Sequence, residues 1–156
     1  MAIHHNKESM QREAIKELME VAEFCVNFDK SQDPHWVGAA GCYGYPGALL
    51  LFSIVDSLGS IVEGGGDDVS KHFKVLNNPD WYAYKFESEE LKLLEQSYRN
   101  KLVHNAHIKA GLKMKPGETP DQVLGRDTVD GEYVLSLVPF LERTRTVVEK
   151  FLSEFN

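Results

Sequence analysis

Pro46-Gly47-Ala48-Leu49-Leu50-Leu51-Phe52-Ser53-Ile54-Val55-Asp56-Ser57-Leu58-Gly59-Ser60-Ile61-Val62 is the stretch whose reading decides the fold. Proline fixes φ at a value that suits a first helical turn, and Gly64-Gly65-Gly66 supplies the stop. Between them Leu49, Leu50, Leu51, Phe52, Ile54, Val55, Leu58, Ile61 and Val62 cover most of a helix circumference. A helix apolar nearly all round is the central one of its bundle. The run Ala48 to Val55 is interrupted by Ser53 and stopped by Asp56, short of the ~20 residues of a membrane span. Ser53, Asp56, Ser57, Ser60 and Glu63 return to one stripe at steps of three and four. Two readings of that stripe stand side by side. Small residues let a neighbour approach and hydroxyls bond carbonyls within the helix. The Asp56 carboxylate, set among apolar neighbours, requires a cation on another helix.

Working outward, residues 7–28 repeat Ile15, Leu18, Ala22 and Cys25 at helical steps, widened by Met19 and Val26, while Glu13, Lys16, Glu17, Glu20 and Glu23 stay wet. Residues 29–44 are a loop rich in glycine, with Ser31, Asp33 and Pro34. A short helix or turn is expected over 69–77. Trp81, Tyr82, Tyr84 and Phe86 follow; such a cluster either stacks on bases or plugs the end of a bundle. A third long helix starts with Ser88 as cap and runs to about Ala106. Leu91, Leu94, Tyr98 and Leu102 are its core stripe; Leu93, Gln96, Asn100, Val103, His104 and His107 form a second, mixed face. Gly111–Lys115 and Glu132–Leu135 suggest a small hairpin. The last helix begins near Leu137 to Pro139. The fold expected is all-α, a single domain over 1–156 with about four helices and an irregular or hairpin insertion before the last.

Composition narrows the function. With 17 Lys+Arg against 24 Asp+Glu the net charge is −7, the wrong sign for a protein that coats duplex DNA. Residues 1–8 lack an apolar h-region, and Cys25 and Cys42 form no CxxC pair, so a cytoplasmic address with reduced thiols is expected. The triple glycine lacks the lysine of a phosphate loop. His104 and His107 have no third ligand at a set spacing, so no metal or other cofactor is expected.

Tyr98-Arg99-Asn100-Lys101-Leu102-Val103-His104-Asn105 is the most specific segment. Within a helical bundle whose central helix carries an acid, it resembles the HEPN superfamily (higher eukaryotes and prokaryotes nucleotide-binding), whose signature is an Arg, a polar residue and a His near a helix end. The resemblance covers most of the chain loosely and residues 98–105 specifically. It implies metal-independent RNA cleavage in toxin–antitoxin and defence systems for many members, and nucleotide-binding or assembly roles for others. Carried over by position, it makes Arg99 and His104 catalytic, with Asn100 beside them. Asp56 and Tyr98 are supporting residues, and Lys101 and Lys109, with Lys113 and Lys115, are a basic rim for RNA. The partners it implies are a second copy of the chain, RNA or a nucleotide, and an antitoxin-type protein.

The chemistry suits those residue types. Attack by the 2′-hydroxyl of RNA needs a group that takes a proton near neutral pH, which is histidine. The phosphate charge that builds is met by a planar guanidinium. The competing reading is that Arg99 bonds Asp56 or a helix end and His104 interacts with the helix dipole. A spacing of five residues turns two helical side chains about 140° apart and ~7.5 Å along the axis. One helix therefore aims both at one phosphate poorly, whereas two copies across a two-fold axis would pair Arg99 of one with His104 of the other.

Overall fold

The computed structural model describes residues 6–118 and 122–154. Helix α1 (Lys7–Asn27) is capped by Asn6, whose side chain accepts the Ser9 N–H at 2.8 Å. It buries Ile15, Met19, Ala22, Cys25 and Val26, the expected stripe with Leu18 at its edge. Helix α2 (Gly44–Val62) is the core element. Leu51, Phe52, Ile54, Val55 and Leu58 are completely buried, each worth about 1.5–3 kcal/mol in transfer terms. By length and composition alone α2 could cross a membrane; here α1 and the helices over 69–72 and 137–154 pack around it. Its stripe behaves as small residues should: Ser53 Oγ donates to the Leu49 carbonyl at 2.8 Å and Ser60 Oγ to that of Ser57 at 2.8 Å.

Helix α3 (Val69–His72) continues as a 3-10 turn, Phe73–Asn77. Next, α4 (Ser88–Leu93), a π-helical turn (Leu94–Arg99) and α5 (Asn100–Asn105) form one continuous helical stretch, ended by Ala106 at φ 56°. Ser88 is not its cap. Glu87 holds that place in a capping box with Glu90, because a carboxylate serves the orphan N–H groups of a first turn as well as a hydroxyl does. Helix α6 (Leu137–Glu154) buries Phe140, Leu141, Thr144, Val147, Val148 and Phe151 against the centre. The 81–86 aromatics close the end of the core: Tyr82 is fully buried with its ring 6.4 Å from Phe140, and Trp81 lies 6.3 Å from Phe151. Cys25 and Cys42 are buried free thiols.

The fold is predominantly helical but not purely all-α. Strands β1 (Lys113–Lys115), β2 (Leu124–Arg126) and β3 (Tyr133–Ser136) form a sheet of order β1-β3-β2. The two segments expected to make a hairpin do pair, but in parallel, with Met114 opposite Leu135. The antiparallel partner of β3 is β2, with Gly125 opposite Val134. A parallel pair cannot be joined by a tight turn, so the intervening chain supplies the third strand. β3 runs directly into α6.

Candidate functional site

The acid of α2 has the partner its setting demands. Arg99 Nη2 donates to Asp56 Oδ2 at 2.7 Å across 43 positions of sequence, and the two side chains retain 18% and 22% exposure. The other carboxylate oxygen, Oδ1, lies 2.7 Å from His72 Nδ1. An ionised carboxylate only accepts, so Nδ1 carries the shared proton. His72 is buried, and its Nε2 meets no partner among the described residues. Arg99 Nη1 donates to Asn100 Oδ1 at 2.9 Å. The result is a chain of polar contacts, His72–Asp56–Arg99–Asn100, tying α3 to α2 and to the start of α5.

A guanidinium has five N–H donors. Two of them are engaged here, by Asp56 and Asn100, and the others meet no hydrogen-bond partner among the described residues. Arg99 is thus anchored along one edge and left with unused donors. It closes the π-helical turn, a feature concentrated at functional sites in helices. His104 stands on the last turn of α5, exposed, as are Lys101 and His107. The mixed face is open: Val103 is 45% exposed, and Leu93 is half-buried.

Tyr98 has a different task from its neighbour. It is fully buried, and its hydroxyl donates to the Lys113 carbonyl at 2.9 Å and lies 3.4 Å from that of Tyr133. Burial pushes its pKa upward, so it stays a neutral donor holding the sheet to the helix. The basic rim divides. Lys113 is spoken for, with its ammonium 3.0 Å from Asp127 Oδ2 and 2.6 Å from Asp130 Oδ2. That corrects its expected place in the rim, because the turn after β2 brings two carboxylates onto it. Lys109 is exposed, and its backbone N–H bonds the Ser97 carbonyl at 3.0 Å, beside the π turn.

His72 was not singled out by the sequence. It sits in a helix of four residues after a glycine run, with no periodicity to point it at Asp56. Among the described residues no group of three or more His, Cys, Asp and Glu side chains is placed to hold a metal ion. No protein-family model, curated protein or solved structure matches the chain.

Proposed function

We propose that the chain is a HEPN-like, metal-independent endoribonuclease that acts as a homodimer. One observation carries the reading: the Arg99 guanidinium is fixed along one edge by Asp56 and Asn100, has unused donors, and is followed five residues later by an exposed histidine. A pre-positioned cation costs no reorganisation when charge develops on a phosphate. His104 takes the proton of the substrate's 2′-hydroxyl. The oxygen attacks the adjacent phosphorus, the bond to the 5′-oxygen breaks, and that oxygen leaves with a proton. The products are a 2′,3′-cyclic phosphate and a 5′-hydroxyl. Within one chain Arg99 turns toward α2 while His104 is turned outward, which accords with a shared cleft assembled from two copies across the open face of α4 and α5.

A second reading has its own support. The Asp56–Arg99 pair is mostly buried, as in a purely structural ion pair, and this favours a catalytically silent module that binds a nucleotide or a partner protein. Incubating a labelled RNA pool with excess chelator separates the two. Cleavage by the wild type, lost in His104→Ala and absent on RNA with 2′-O-methyl groups, is the expected result. Cleavage that survives either change overturns the mechanism, and inactivity on every RNA at high enzyme concentration favours the binding module.

A further inference from the structure

A cleft of about 350 Å³ opens between the loop before α2, the first turn of α2, the segment that follows α5, and β1. Its size is at the lower end of the 300–1,000 Å³ typical of small-ligand sites. Lys30 and Lys109 stand in its lining, and no carboxylate of the described residues does, on a chain whose net charge is −7. So local a concentration of one sign, against an opposite background, focuses the field on an anion. The floor is apolar, with Leu112 and Met114, and Tyr45 stands at the rim with half its surface exposed. Lys30 is not a loose surface chain. Its ammonium sits 4.6 Å above the Trp36 ring, and its backbone N–H bonds the Gly41 carbonyl.

We infer that this cleft holds one nucleotide unit, with phosphate on Lys30 and Lys109 and the base against Tyr45 and the apolar floor. Lysine offers phosphate a compact charge, and a tyrosine ring stacks on any base. The lining favours a nucleotide over a bare anion, because lysines stand in it together with a tyrosine ring and apolar side chains. Lys109 follows α5 in the chain, and its N–H bonds the Ser97 carbonyl. The inference extends the proposed function to its ligand, and its test reads binding without cleavage.

The probe is a fluorescently labelled RNA tetranucleotide with 2′-O-methyl groups throughout, followed by anisotropy, with free adenosine monophosphate and adenosine as competitors. Lys30→Ala with Lys109→Ala should weaken binding at least tenfold and flatten its salt dependence by about 0.7, the value for the one phosphate they hold. Tyr45→Ala should weaken it severalfold, and Lys16→Ala on the outer face of α1 should change nothing. Circular dichroism controls for folding. Competition by adenosine monophosphate but not adenosine supports the site with a free nucleotide as its source; binding of the oligonucleotide alone supports it with RNA as source. Affinity unchanged in the double variant, adenosine competing as well as its phosphate, or no saturable binding of either probe overturns the inference. Binding without any cleavage of ordinary RNA would leave the cleft standing and remove the ribonuclease.

Discussion

Gly59 and His72 meet backbone to backbone: a Cβ built at position 59 would lie 2.7 Å from the His72 Cα and closer still to its carbonyl. Gly59 is one helical turn beyond Asp56, so the missing side chain is what lets α3 come near enough for the His72 imidazole to reach the carboxylate. Gly59→Ala therefore forces α3 outward. Overpacking of a tight core costs about 1–3 kcal/mol, against a helix-propensity gain of about 1 kcal/mol for removing glycine from a helix interior. A net loss of stability in urea denaturation is expected. A variant as stable as the wild type would show that α3 is not held there.

Asp56→Asn removes the charge that Arg99 and His72 share. Breaking a buried pair costs about 3–5 kcal/mol. With 18% and 22% of the two side chains exposed, the lower end, ~3 kcal/mol, is expected from the shift in denaturation midpoint. Asp56→Asn combined with Arg99→Met should recover part of that loss, since no uncompensated guanidinium then remains. An unchanged midpoint in the single variant would show that the pair contributes nothing net.

Val103→Asp, on the open face of α5, should convert a homodimer to monomers and abolish RNA cleavage together. A stable two-fold interface buries upwards of ~1,200 Å², and a charge in its centre has no partner. Light scattering at tens of micromolar protein reads the first effect and a cleavage assay the second. A wild-type monomer at that concentration, or a Val103→Asp variant that remains dimeric and active, counts against the assembly.

The Lys113–Asp127–Asp130 cluster gives the sheet a pH signature. The Val129 N–H and then Lys113 lower Asp127, Lys113 and then the Glu132 N–H lower Asp130, and the hydrogen bonds to Asp130 and Asp127 raise Lys113. The signs follow from linkage. For the aspartates the stabilisation is present above the ordinary carboxyl pKa and disappears as pH falls through their lower folded values. For Lys113 it is present below the ordinary lysine pKa and disappears as pH rises through its higher folded value. Amide exchange of β2 and β3, corrected for intrinsic rate, should be flat from about pH 5 to 9 and lose protection below pH 4. Lys113→Met should weaken that acid dependence without abolishing it, because the Val129 and Glu132 N–H groups still bond the two carboxylates, and should retain the Tyr98 bond, which goes to the backbone.

How much of this was written in the residues depends on how local the signal is. The central helix was legible, because nine large apolar residues crowd into seventeen positions and only a buried helix tolerates that. The Asp56–Arg99 pair was legible for the same reason: a lone acid on such a helix needs a cation, and Arg99 stands at the border of a core stripe. The sheet was only half legible. Strands of three or four residues carry too little alternation to fix direction, and Leu124-Gly125-Arg126 contains a glycine that reads as a turn. His72 was silent, because its contact depends on a hole at Gly59 that only the packed helices reveal. Lys113 was misjudged because the loop that places Asp127 and Asp130 has no periodicity to follow.

Tyr98 and Arg99 are consecutive, yet the hydroxyl of one is fastened to β1 while the guanidinium of the other is fastened to α2. A helix held so on two sides acts as a crossbar between layers. It cannot roll about its axis without stretching one fastening or the other. Among the described residues the edge strands β1 and β2 are the parts of the sheet with open sides. Whatever grips either edge is therefore mechanically in series with the guanidinium, through a lever only one residue long.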